Sequence, residues 1–360
     1  MILLSRANLV SRRHRIKPLR ELELPPLIAE KTRSPVAIIL GSPSEVIHAL
    51  ESLPGIEATC FQMDVFQGER LRAELAEAGL SANVVLAADL WDLPATFQTA
   101  LFMPARGGER ELKIDMVDQA YHILREGGLM LVWSPYQTDD LFAGLLKKVF
   151  GKVHTPPHDA GSDLTTCLWS VRTGEQPRRR HEVTFQVKIA DGPSCRFLSR
   201  PGTFSYGKFD LGARALCEVM EVEPGDRILD LGCGVGTNGV FASQKAGPNG
   251  FISFVDSNHR AIALTEMNAK ANGLSQFETF ASSTVTGPQE DSFDVVIANP
   301  PYFANSSIAQ LFIHRAKAML TPQGRFYLVT KQPVETAETM LDTFGEAEAV
   351  ELRGYTIVCA

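Results

Sequence analysis

No window of the 360-residue sequence is apolar for long enough to span a bilayer, which excludes a protein built of membrane helices. The start lacks the apolar core of a secretion signal and carries arginines from Arg6 onward, so a cytoplasmic protein is expected. Cysteine is sparse. The six, at 60, 167, 195, 217, 233 and 359, include no C-x-x-C pair, which argues for buried thiols in a reduced compartment and against a zinc site; no metal is expected. Bulk positive charge is also missing. The net charge is -7, with 23 basic against 24 acidic residues in 1–196 and 12 against 18 in 197–360, so any contact with nucleic acid must be local. What is present is a 44% hydrophobic content over a length comfortable for two domains.

The most informative stretch is Arg227-Ile-Leu-Asp-Leu-Gly-Cys-Gly-Val-Gly236. A hydrophobic strand ends near Asp230 and runs into Gly232, Gly234 and Gly236. Glycines there admit dihedrals closed to other residues and let a ligand approach the backbone. A helix beginning at Thr237 would aim its first amides into the same space. This is a nucleoside-cofactor geometry at the carboxyl edge of a parallel sheet. The dinucleotide fingerprint requires a further glycine where Thr237 stands, and Asp230 would repel a pyrophosphate but not a cationic, amino-acid-bearing nucleoside. At this point another nucleotide ligand and a dead site both stay open.

The first half alternates strand and helix. Strands are expected at 35–41, 58–63, 83–87, 99–103, 129–133 and 168–171, and helices at 45–53, 69–78, 112–124 and 138–150. That is a doubly wound α/β domain. A repeat links it to the second half. Met103-Pro104 precedes Gly128 by the interval at which Asn299-Pro300 precedes Gly324, and helices in both halves close on Phe-Gly, at Phe150-Gly151 and Phe344-Gly345. The first copy lacks the acid, the glycine triplet and the Asn-Pro-Pro, so no cofactor is expected there. Two unrelated α/β domains are the alternative. The junction falls in Gly174-Glu-Gln-Pro-Arg-Arg-Arg-His181, giving a first domain at 1–180 and a second at 181–360. Two basic segments, Arg12, Arg13 and Arg15 in the amino-terminal arm and Arg178, Arg179 and Arg180 in the linker, are either solvated surface or RNA phosphate contacts.

In the second half, strand 183–189 and 195–198 form a hairpin across Asp191-Gly192, and an aromatic stretch at 201–212 precedes a helix at 213–221. Phe204 either packs or roofs a cofactor pocket; Asp210 either contacts the cofactor's polar end or caps the helix. Asp256 ends the next strand, where a ribose diol would seek an acceptor. Ser282 and Ser283 follow the third strand, near an adenine edge. Asn299-Pro-Pro-Tyr302 follows the fourth. Pro300 and Pro301 stiffen the backbone. The Asn299 side-chain carbonyl and the Pro300 backbone carbonyl can accept both hydrogens of a planar amino group, and Tyr302 can stack on its ring. Two such acceptors aim a conjugated lone pair at an electrophilic methyl group.

These motifs resemble class I S-adenosylmethionine-dependent methyltransferases that modify amino groups. More narrowly, the chain resembles the tandem-domain guanine-N2 methyltransferases of bacterial ribosomal RNA. The resemblance rests on Gly202, Phe204, Ser205, Asp210 and Gly212, on Asp230 to Gly236, and on Asn299 to Pro301, and covers about residues 181–360. It implies two tandem Rossmann-like domains with mostly parallel sheets, the first degenerate and serving structure or RNA binding, the second catalytic. It implies S-adenosyl-L-methionine as cofactor, held by Phe204, Asp210, Asp230, Gly232, Gly234, Gly236, Asp256, Ser282, Ser283 and Asn299, and ribosomal RNA or a ribosomal subunit as partner of a monomer. Family members carry Phe after the prolines. Tyr302 is more typical of enzymes acting on adenine N6 or a glutamine amide, so an N5-glutamine methyltransferase of a termination factor, an adenine methyltransferase and a non-catalytic RNA-binding protein are the competing readings.

Overall fold

The computed structural model describes residues 23–156, 165–301 and 307–360. Arg12, Arg13, Arg15 and Tyr302 lie outside the described residues. The first lobe contains β1 (Val36–Ile39), β2 (Ala58–Gln62), β3 (Asn83–Leu86), β4 (Phe97–Phe102), β5 (Leu124–Ser134) and β6 (Thr166–Val171). Their order is β3-β2-β1-β4-β5-β6, parallel except for β6. Helices α1 (Pro26–Lys31), α2 (Pro43–Glu51), α3 (Val65–Glu77), α4 (Arg110–Ile123) and α5 (Asp140–Phe150) cover it. β1 is buried along its length because it faces a core on each side. Ala37 and Ile39 pack with Met116 and Leu146, while Val36 and Ile38 pack with Val46 and Leu71.

The second lobe opens with a hairpin, β7 (Val183–Lys188) and β8 (Ser194–Ser199), paired antiparallel as expected. Its main sheet comprises β9 (Arg227–Leu231), β10 (Phe251–Asp256), β11 (Phe277–Ala281), β12 (Phe293–Ala298), β13 (Leu320–Thr330), β14 (Glu348–Leu352) and β15 (Tyr355–Cys359). The order is β11-β10-β9-β12-β13-β15-β14, with the last pairs antiparallel. Helices α6 (Leu211–Val219), α7 (Thr237–Ala246), α8 (His259–Ala271), α9 (Ser307–Met319) and α10 (Pro333–Phe344) flank it. The chain moves from β9 outward through β10 and β11, then returns to the other side of β9 as β12. A crevice opens at that reversal, at the carboxyl ends of β9 and β12.

The repeat is visible in the strand registers. Phe97 pairs with Leu124 and Thr99 with Leu129, so β5 bulges between them. Phe293 and Val295 pair with Leu320 and Arg325 across the same irregularity. A side chain at Gly128 would press on the Phe97 carbonyl, and one at Gly324 on the Phe293 carbonyl. Both copies therefore keep glycine at one packing position.

Some helix starts differ from the sequence reading. Helix α2 begins at Pro43 because Ser42 and Glu45 form a capping box, and α3 begins at Val65 because Asp64 caps Gln67. Helix α1, unanticipated after Leu24-Pro-Pro26, uses a proline at its first turn.

The lobes interlock through buried charge. Arg260 of α8 is 0% exposed. It donates to Asp115 at 2.7 Å, to Asp89 at 2.9 Å and to the carbonyls of Pro201 and Ala88 at 2.6 and 2.9 Å. Arg200 makes a two-pronged contact with Asp89, at 2.8 and 2.7 Å. Gln119 bridges Asp89 and Asp115. No helix among the described residues is long and apolar enough to cross a membrane.

Candidate active site at the carboxyl edge of the second sheet

The glycine loop has the conformation its sequence requires. Gly232, Gly234 and Gly236 all have positive φ, at 68°, 57° and 82°. Asp230 is 1% exposed and accepts the Gly239 amide at 2.8 Å. Through that bond it braces the turn from the glycine loop into α7. Burial pushes its carboxyl up to about 7, with the Gly239 bond opposing and the nearby Asp256 adding to the rise. Gly239 was not singled out from sequence. A side chain there would strike Phe254 and crowd Asp230.

Asp256 ends β10 beside this loop. Its carboxylate accepts Gly234 N–H at 2.9 Å and Asn258 N–H at 2.8 Å. Burial raises it to about 6 against those hydrogen bonds. Ser282 is engaged in its own turn, with its hydroxyl against Thr286 at 2.9 Å and accepting the Thr286 amide at 2.9 Å. Ser283 donates to Glu69 of the first lobe at 2.7 Å. The two serines thus order the loop beside Asp256, and their hydroxyls are already committed to protein partners.

Across the crevice, Asn299 follows β12. Phe204, Lys208, Phe209, Asp210, Gly232 and Asn238 line the cleft with it. Phe204 is 42% exposed, at the rim. Thr237, expected to open the helix there, lines the cleft, while Lys208 and Asn238 are lining residues that sequence reading missed; their polar types carry no periodic signal. Asp210 caps α6, accepting Ala213 N–H at 2.9 Å, and the same oxygen lies 3.3 Å from Asn299 Nδ2. A carboxylate only accepts, so the Asn299 amide nitrogen must face it and the amide oxygen is turned the other way. That oxygen is the group an incoming amine needs.

The equivalent sheet edge of the first lobe carries different side chains. Gln62, at the end of β2, donates to the Gly41 carbonyl at 2.6 Å. Met103 follows β4, and its methyl group lies against Gly41, together with Val46. In the linker, Arg178 and Arg180 lie over the Trp91 ring at 5.5 and 6.0 Å, where Arg200 approaches from within. All three linker arginines, Arg178, Arg179 and Arg180, are exposed.

Residues 194–359 match the methyltransferase small domain family. Among curated proteins, the chain is 35% identical over 156 residues to Ribosomal RNA small subunit methyltransferase C of Chromohalobacter salexigens, covering 41% of this chain and 45% of that protein. It is 27% identical over 209 residues to Ribosomal RNA large subunit methyltransferase G of Yersinia pestis, covering 53% and 51%. The matches span about half the length of these curated relatives. Over nearly its full length, the fold is that of the T. thermophilus 16S rRNA N2 G1207 methyltransferase, RsmC, solved in complex with AdoMet and guanosine. The TM-score is 0.73 at 20% identity, with 97% of this chain and 92% of that one covered. The chain is similar in sequence to these ribosomal RNA methyltransferases over about half its length, and its architecture is two tandem Rossmann-like α/β domains.

Proposed function

We propose that this protein transfers a methyl group from S-adenosyl-L-methionine to the exocyclic N2 amino group of a guanine in ribosomal RNA, in the small subunit. Residues 181–360 carry the chemistry; residues 1–180 give structural support and RNA contacts. The observation that carries the reading is Asn299, held by Asp210 with its amide oxygen turned away, at the sheet reversal opposite the positive-φ glycine loop. The names of the curated relatives support ribosomal RNA over a glutamine amide, and the solved N2 G1207 methyltransferase, with guanosine bound, supports N2 of guanine over adenine.

The residues present fit the cofactor: the glycine loop leaves its backbone bare, and Asp256 offers an acceptor to a ribose diol. When bound, it supplies a methyl group on a cationic sulfur. The chain's own residues do the rest. The Asn299 and Pro300 carbonyls accept the two amine hydrogens, which orients the lone pair and stabilises positive charge as it develops on nitrogen. Tyr302 stacks on the base, which leaves its helix to enter. Loss of a proton from the cationic amine completes the reaction, so no strong base is needed. We place the protein in the cytoplasm as a monomer acting on ribosomal RNA or a subunit.

The test is incubation with labelled methyl donor and, separately, naked ribosomal RNA, isolated subunits and cell protein, followed by mapping. N2-methylguanine in RNA is expected. Label on an adenine N6 or a glutamine amide would replace the substrate, and no transfer with any of them would remove the enzymatic reading.

A further inference from the structure

We infer that the first lobe is part of the second lobe's cofactor site, with Asp64 and Glu69 as positioning residues for the ribose and adenine end. The inference rests on the proposed use of S-adenosyl-L-methionine at Asp256.

Two loops flank Asp256, and both are tied to the start of α3. Ser257, the next residue, donates its hydroxyl to Asp64 at 2.5 Å, and its carbonyl accepts Val65 N–H at 2.8 Å. His259 N–H donates to the Met63 carbonyl at 2.8 Å. The backbone that follows Asp256 is therefore stitched at two points to residues 63–65. The second loop follows β11. Its Ser282 amide donates to the Asp256 carbonyl at 3.0 Å, and Ser283 donates to Glu69 at 2.7 Å. The amino-terminal end of one helix thus holds both loops between which a ribose and its base would lie. Asp64 also caps its own helix, through Gln67 N–H at 2.9 Å, so its side chain is fixed before it meets Ser257.

The geometry separates positioning from bulk stability. The lobes are joined elsewhere by Arg200 and Arg260 on Asp89 and Asp115. Losing a hydroxyl contact at Ser257 or Ser283 leaves that network whole. It frees loops whose ordering cost must then be met when cofactor binds, which lowers affinity without touching the amine clamp.

The experiment uses the full-length protein with Asp64→Ser, which keeps a helix cap, Ser257→Ala, Glu69→Ala, Glu69→Gln and the double variant Asp64→Ser with Ser257→Ala. Cofactor affinity is measured by calorimetry, and methyl transfer at saturating cofactor alongside it. We expect the Kd for S-adenosylmethionine to rise on the order of fivefold to tenfold in Asp64→Ser and Ser257→Ala and threefold in Glu69→Ala. Glu69→Gln, which still accepts a hydroxyl proton, should restore it. The double variant should be no weaker than either single one, and kcat and the thermal midpoint should hold. Unchanged affinity in Asp64→Ser and Glu69→Ala, or a loss that tracks a fall in thermal midpoint, overturns the inference. A parent protein that binds no S-adenosylmethionine overturns the proposed function first, and is distinguished by that alone.

Discussion

Ile38 and Asp230 occupy the same register position of the two sheets. Ile38 pairs with Leu101 of β4, and Asp230 with Ile297 of β12, between strands that correspond throughout the repeat. Gln62 and Asp256 correspond at the next strand end, and Met103 and Asn299 after the fourth strand. These three pairs distinguish the two sheet edges, beside the glycine triplet that the first copy lacks. The first lobe has an aliphatic side chain where the second buries a carboxyl group, and this difference has an energetic cost.

Asp230→Asn should stabilise the cofactor-free protein above neutral pH. The folded carboxyl is pushed from 3.8 up to about 7, chiefly by burial. The folded state therefore holds a proton that the unfolded state has released, and stability falls as pH rises from about 4 to about 7. Asparagine can still accept the Gly239 amide and carries no charge. Denaturant unfolding should show the two proteins alike near pH 4 and the variant ahead by about 2–4 kcal/mol near pH 8. Equal stability at both pH values would contradict the buried-charge account.

Arg260→Ala should be severe although the residue is far from the amine clamp. It leaves Asp115, at 0% exposure, without its charged partner and strips Asp89 of one of two guanidinium contacts. Breaking one side of a buried ion pair costs about 3–5 kcal/mol. Arg260→Lys should not recover it, because a single ammonium cannot serve two carboxylates and two carbonyls at once. The denaturation midpoint of each variant checks both statements.

Sequence periodicity located the strands because the central strands of each main sheet are buried on both faces, and runs such as 36–39 and 295–298 read as continuous apolar stretches. The glycine loop and Asn299-Pro-Pro were legible because their residue types answer local demands of dihedral and acceptor geometry. Asp89, Asp115, Arg200 and Arg260 were not. Alone, each looks like an ordinary surface charge, and only the docking of lobes separated by more than a hundred positions makes them a buried network. The partners of the serines after β11, Thr286 and Glu69, were hidden for a related reason: they are set by a turn and by the other lobe. The helix starts at Pro43 and Val65 are legible from Ser42 and Asp64 once capping is weighed above hydrophobic period.

The linker arginines give a salt-dependent prediction. Arg178 and Arg180 are held over Trp91 and remain exposed, with Arg179 between them. If they contact RNA phosphates, replacing all three by glutamine should weaken binding across sequences and flatten the slope of log affinity against log salt by about 2. Cofactor affinity should be unchanged. Filter binding across a salt series measures the slope, and an unaltered slope returns the segment to solvated surface.

The last prediction separates two roles for Asp210. Were it a cofactor contact, as one sequence reading has it, its loss would raise the cofactor Kd. The structure instead has one Asp210 oxygen serving both the Ala213 amide and Asn299 Nδ2. Asp210→Ser keeps a helix cap, since a serine oxygen at that position accepts the same kind of amide bond. Its shorter side chain does not reach Asn299, so that hold on the amide nitrogen is lost. The target amine would meet a nitrogen donor for part of the time in place of the carbonyl acceptor. Transfer at saturating cofactor should fall on the order of tenfold, while Asn299→Ala, which removes the acceptor outright, should fall on the order of 10²-fold or more. The two losses act through one atom, so the double variant should match Asn299→Ala alone rather than the product of the two. Cofactor affinity should move little in any of the three. Single-turnover rates measured beside calorimetric affinity decide it. A raised Kd with an unchanged rate in Asp210→Ser would assign the carboxylate to the cofactor, and a parental rate in Asn299→Ala would remove the amine clamp altogether.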